Sequence, residues 1–145
     1  MSAERNKEVV RRILEEFWHD GREEVIDELF APDYVNHDLS TPEVRGRDAF
    51  KQWAKAFREA WGQGMPDWRI TTEEMVAEGD RAAKRWVLRG THTGDLYGIH
   101  GTGKPLTVRG VTIYGFDARG KVREIWWNHD ALGLLQQVGA IPAAV

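Results

Sequence analysis

Two periodicities divide the chain. In the first half apolar residues recur at helical spacing. Val9, Val10, Ile13, Leu14, Phe17 and Trp18 form one stripe, and Gly21 stops it. Val25, Ile26, Leu29 and Phe30 repeat the pattern over a shorter stretch that Pro32 ends. Phe50, Trp53, Phe57 and Trp61 define a third helix. It starts after Gly46, with Asp48 as cap or first-turn acid, and Gly62, Gly64 and Pro66 close it. From residue 68 onward the pattern turns strand-like. Residues 68–77 read as a strand and Glu78-Gly79-Asp80 as a turn. Over residues 81–93, Arg85, Val87, Arg89 and Thr91 alternate with Trp86, Leu88, Gly90 and His92. Residues 94–105 hold four glycines and read as a long connection. Residues 106–116 and 121–129 form a hairpin about Asp117-Ala118-Arg119-Gly120. A short helix follows over 131–138, with Asp130 at its N-cap and Gly139 at its C′ position. Helices followed by hairpin-joined strands predict an α+β fold, with helices packed on one face of a curved antiparallel sheet.

Composition narrows the function classes. The 145 residues suit one domain, residues 1–145. The absence of cysteine excludes a disulfide scaffold, cysteine-ligated metal and thiol catalysis. With 20 basic and 23 acidic residues, the net charge of −3 offers no basic excess for nucleic acid. No apolar run reaches the ~20 residues of a membrane span, and residues 1–12 lack an apolar signal segment, so a cytoplasmic, soluble protein is expected. The glycines at 101 and 103 lack the strand–glycine–helix context of a phosphate loop. Tryptophan, at 7, outnumbers phenylalanine, at 5, and tyrosine, at 3, in a chain of mean hydropathy −0.54. So many large rings in a polar chain suggest a core with something extra to line.

Three stretches resemble a known family. They are Phe30-Ala31-Pro32-Asp33-Tyr34-Val35-Asn36, Gly90-Thr91-His92-Thr93-Gly94-Asp95-Leu96-Tyr97-Gly98, and the ending Gly120-Lys121-Val122, Trp126, Asp130 and Leu132-Gly133-Leu134-Leu135-Gln136-Gln137-Val138-Gly139. Together they resemble the nuclear-transport-factor-2-like cone fold and, within it, the SnoaL-like polyketide (ester) cyclases. The resemblance implies three N-terminal helices on the concave face of a cone-shaped sheet and a homodimer formed through the sheets. It also implies a pocket for a hydrophobic small molecule. In the cyclases the reaction is a cofactor-free intramolecular aldol condensation. A base removes a proton beside a carbonyl, and the enolate closes a ring in a pocket that excludes water.

The resemblance also exposes a departure. It places the cyclases' catalytic aspartate at Trp127 and the assisting histidine at Thr112. An indole cannot take up a proton as a carboxylate does. Asn36 retains the asparagine of the family's pattern. A moved base is one solution: the ketosteroid isomerases of the same superfamily carry theirs on the strand after the second helix, here His37 or Asp38. His129, two residues after Trp127, shares its face and competes for the same role. Tyr114 shares the face of Thr112, and its hydroxyl either supports an enolate oxygen or satisfies a backbone group. His92 either points into the cone or ties down the glycine-bounded connection. Asp130 fits a helix cap better than an acid; its further reading is to orient a nearby imidazole. Trp53 fits the helix stripe and is also a ring that a ligand in the cone would meet. His37, Asp38, His92 and His129 have no tight metal-ligand spacing, so no metal is expected.

The leading expectation is therefore an enzyme that moves a proton beside a carbonyl, giving cyclisation, isomerisation or dehydration. Its rival, motivated by Trp127, is a hydrophobic-ligand-binding protein without turnover. A third reading is an interaction protein whose cone is filled by its own side chains.

Overall fold

A computed structural model describes residues 2–38 and 42–142. The first helix, α1 (Ala3–Arg12), is capped by Ser2, whose hydroxyl accepts from the Arg5 amide at 3.1 Å. It runs on as a wider, π-helical stretch over Ile13–His19, which carries Phe17 and Trp18 into the core. α2 (Glu24–Leu29) leads into β1 (Phe30–Asp38); β2 (Val44–Arg45) and the long α3 (Arg47–Gly64) follow. β3 (Arg69–Glu78), β4 (Arg81–Thr91), β5 (Pro105–Phe116) and β6 (Val122–His129) complete the sheet, and α4 (Ala131–Gln137) ends the fold.

The six strands run in the order β2-β1-β6-β5-β4-β3. All pairs are antiparallel except β1 with β6, which are parallel. This mixed α+β arrangement agrees with the expected fold class. One element differs. The helix stripe read through Phe30 stops at Leu29, and Phe30 and Pro32 belong to β1. A strand thus lies between the second and third helices. Pro32 is tolerated because the β1–β6 register is irregular between Phe30 and Val35 and β2 pairs only further along, so its missing N–H breaks no ladder bond.

The alternation along β4 sets the two faces. Ala82, Lys84, Trp86 and Leu88 are buried beneath the helices, while Arg85 and Arg89 are exposed. The core between helices and sheet is aromatic. The Trp18 ring lies 5.4 Å from Trp127 and 6.3 Å from Phe50, and Trp86 lies 5.3 Å from Trp127. Gly110 makes that packing possible: a Cβ there would come within 2.2 Å of the Trp86 ring. α4 docks where β6 has ended. The Gln137 amide takes the place of a strand, donating to the Thr107 carbonyl at 2.7 Å and accepting from its N–H at 2.9 Å. Asp130 caps this helix through the Gly133 amide at 2.8 Å, and Gly139 closes it at φ 81°.

Candidate active site

Register brings one row of residues across the inner face. Asp38 on β1 lies opposite Trp127 on β6, Trp127 opposite Thr112 on β5, and Thr112 opposite Lys84 on β4. Trp127 and Thr112 are thus neighbours on one face. The threonine is engaged: its hydroxyl oxygen accepts from the Trp86 indole N–H at 2.9 Å. The Trp127 indole N–H is buried and has no hydrogen-bond partner among the described residues. Such a group is rare enough to require an explanation.

Asn36, two residues before Asp38, lies on the same face and is only 1 % exposed. The Tyr34 hydroxyl donates to its Oδ1 at 2.8 Å, which orients the amide. The Asn36 Nδ2 group is then a second buried donor without a partner among the described residues. Tyr34 and Tyr114 are both held as phenols by burial, which pushes their pKa values well up. A set of polar groups is therefore enclosed by aromatic rings, and two of its N–H donors meet no acceptor among the described residues.

The mouth of this face carries the titratable groups. Asp38 is buried, and its charge acts on both His129 and Tyr97. His129 is half-buried, with its ring 6.4 Å from Phe57. Burial pulls its pKa below the usual histidine value, and the opposing pull of Asp38 and Asp130 is smaller. Tyr97 takes φ 51°, the one non-glycine residue with positive φ among those described, and its hydroxyl oxygen accepts from the Trp61 indole at 3.1 Å. Strained backbone of this kind costs about 1–3 kcal/mol and collects at functional sites. Trp53 and Phe57, stacked at 5.5 Å, are half-buried beside Trp18.

The remaining candidates lie elsewhere. His37 does not face the interior, because alternation turns it outward between the inward Asn36 and Asp38. There it stacks on Trp126 at 5.1 Å and meets Glu43 at 3.1 Å and Glu124 at 3.5 Å. His92 does point inward, but it serves the connection. Its Nδ1 accepts from the Thr102 amide at 3.3 Å, which leaves Nε2–H to donate to the Ile99 carbonyl at 3.2 Å. Asp130 is the α4 cap. His37 and Asp38 line one cavity of about 360 Å³ with Glu43, Trp126 and Asn128, His92 sits in the connection, and no group of three metal-ligating side chains occurs among the described residues. Among the described residues no helix is long and apolar enough to cross a membrane. Two residues escaped the sequence reading, Tyr97 and Lys84. Tyr97 belongs to one of the stretches that carry the resemblance, but nothing in the hydrophobic pattern marks it. Lys84 had a signal: it sits two residues before Trp86 and so shares its inward face.

A curved, mostly antiparallel sheet wrapped on N-terminal helices and ended by a short helix is the cone fold that the sequence resemblance implies. The chain belongs to the SnoaL-like polyketide cyclase family, whose model matches residues 8–138. Solved structures agree. A proposed SnoaL-like polyketide cyclase from Jannaschia sp. CCS1 is 27% identical at TM-score 0.79, covering 97% of this chain and 95% of its own. AclR, a proposed hydroxylase from Streptomyces galilaeus, is 26% identical at TM-score 0.79, covering 99% and 87%. A proposed polyketide cyclase from Acidithiobacillus ferrooxidans is 30% identical at TM-score 0.79, covering 95% and 97%. The comparison with curated proteins finds no match.

Proposed function

We propose that this protein catalyses cofactor-free proton transfer beside a carbonyl of a hydrophobic compound, and that ring closure follows. The observation that carries this reading is the pair of buried donors without a partner among the described residues, Trp127 Nε1–H and Asn36 Nδ2–H, on the same face as the Asp38 carboxylate. Asp38 takes the C–H proton. The electron pair moves onto the carbonyl oxygen, where the two N–H groups offset the new charge in a water-poor site. The enolate carbon then attacks a second carbonyl of the same molecule, and the resulting alkoxide takes a proton back through Asp38 or His129. Trp127 thus replaces the family's base as a donor, and the base moves to β1.

The test is hydrogen exchange, followed by NMR in deuterated water, at the acidic carbons of β-keto esters and β,γ-enones. Product mass is measured in parallel. Trp127→Phe keeps the ring and removes the N–H, and is expected to slow exchange roughly 10²-fold. Binding of these compounds with no exchange by the wild type would leave the ligand-binding reading in place.

The same reading includes a homodimer through the outer face. Register aligns Val76, Ala83, Ile113 and Trp126 across four strands, with His37 at the end. Val76 is 61% exposed and Ile113 36%, an apolar stripe between charged rows. Ile113→Glu is expected to yield monomers in sedimentation; a wild type that is already monomeric removes the dimer.

A further inference from the structure

Lys84 is the buried charged group that the reaction above does not use. It is 4% exposed, on the inner face of β4, at the far end of the row that begins with Asp38. No carboxylate lies within ion-pair distance of its amine among the described residues. Glu15, whose charge reaches it, is already held by His19 at 3.1 Å and Arg69 at 3.4 Å. The amine sits 6.0 Å over the Tyr114 ring. A cavity of about 360 Å³ opens between the π-helical stretch and β3, lined in part by Leu14, Glu15, Ile70 and Thr72. Of its lining residues, Thr72 pairs with Trp86, two residues along β4 from Lys84, and Glu15 is the carboxylate whose charge reaches the amine.

We infer that Lys84 is a covalent attachment point for an aldehyde or ketone, its amine condensing with the carbonyl to give an imine. The lone pair of the neutral amine attacks the carbonyl carbon, and the nitrogen proton passes to the oxygen. The carbinolamine then loses water to leave the C=N bond. The Tyr114 phenol, kept protonated by burial, is the nearby group able to give a proton to the departing hydroxyl. Burial favours the neutral amine that this step requires, pulling its pKa down to about 8. At pH 7 about one Lys84 in ten is then neutral, against fewer than one in a thousand for a surface lysine. Three strand spacings separate Lys84 from Asp38, about 14 Å. The inference rests on the reading that the inner face accepts a carbonyl compound, and it identifies a second carbonyl of that compound.

The experiment traps the imine. The full chain is incubated with cinnamaldehyde and sodium cyanoborohydride, which reduces the C=N bond to a stable secondary amine. Intact mass and peptide mapping then locate the adduct. Labelling at Lys84 is expected to run at least roughly tenfold faster than at surface lysines at pH 7. It should vanish in Lys84→Arg and persist in Asp38→Asn, which loses exchange but keeps the amine. Labelling confined to surface lysines, or probe bound with no adduct after reduction, overturns the inference. Peptide mapping of the wild type decides this even if the Lys84 variant fails to fold. Loss of exchange activity in the wild type with Lys84 still labelled would sink the proton-transfer reading alone.

Discussion

The chain contains Asn-His-Asp twice, at Asn36-His37-Asp38 on β1 and at Asn128-His129-Asp130 where β6 ends. The two copies present opposite residues to the interior. In the first, Asn36 and Asp38 are buried and His37 turns out to Glu43 and Glu124. In the second, Asn128 is exposed, His129 turns in, and Asp130 leaves the strand to cap α4. Strand parity makes the difference. β1 and β6 are parallel with Asp38 opposite Trp127, so the copies are out of step by three residues, an odd number, and the interior receives an amide and a carboxylate from one and an imidazole from the other. In the proposed reaction identical residues thus supply three different services, a base, a proton relay and a helix cap.

The largest expected contrast lies between the two aspartates. Asp38→Asn removes the carboxylate from the enclosed face, and a general base is worth about 10²–10⁴ in rate. A loss near 10³-fold in enone exchange is expected. Asp130→Asn should retain turnover, since asparagine caps helices nearly as well as aspartate. Equal losses in the two variants would break the assignment of roles.

The histidines give the next contrast. His129→Gln is expected to slow turnover by about 10²-fold by removing the relay beside Asp38. His37→Gln should leave the rate of each protomer unchanged, and its effect belongs in sedimentation, since it loses the stack on Trp126 and two partly exposed ion pairs. A rate loss confined to His37→Gln would reverse the comparison.

Acid should separate the copies by stability as well. Burial lowers the His129 pKa in the folded chain, so the unfolded chain binds its proton first as pH falls. Its contribution is full above the unfolded value of ~6.5 and is lost on acidification toward the lower folded value. The melting temperature of the wild type should therefore drop through that window, and His129→Gln should flatten the drop. An unchanged acid slope in the variant would place the imidazole in water.

Much of the architecture is legible in the residues, because helical stripes and the alternation from residue 68 onward follow directly from burial. The Asp130 cap and the Gly139 ending are local chemistry and equally readable. β1 is harder to see. Phe30 and Ala31 are both buried, so its start does not alternate, and its parallel partner lies nearly ninety residues away. The site suffers from the same non-locality. The inward turn of Asp38 and the outward turn of His37 depend on where β1 begins, and one residue of uncertainty exchanges them. Trp127 reads in sequence as a missing base. Only its neighbours in space, with Thr112 already engaged by Trp86, show an indole N–H left without a partner. Lys84 was legible through parity with Trp86, but a lysine in a charged chain draws no attention until its burial is known.

The smallest effect tests the cap itself. Asp130 Oδ1 accepts from the Gly133 amide at 2.8 Å, and a Cβ at Gly133 would come within 2.2 Å of the Asp130 carboxylate. Asp130→Ala should therefore lower stability by about 1 kcal/mol, read as a shift in the urea midpoint with an unchanged slope. Gly133→Ala should lower it too, because the methyl group displaces the carboxylate from the amide it caps. Exchange rates of folded protein should stay at the wild-type level in both, since the Gln137 hydrogen bonds to Thr107 on β5 still hold α4 against the sheet. A turnover loss in Asp130→Ala at unchanged stability would mean that the second Asn-His-Asp contributes its carboxylate, as the first does, to the chemistry.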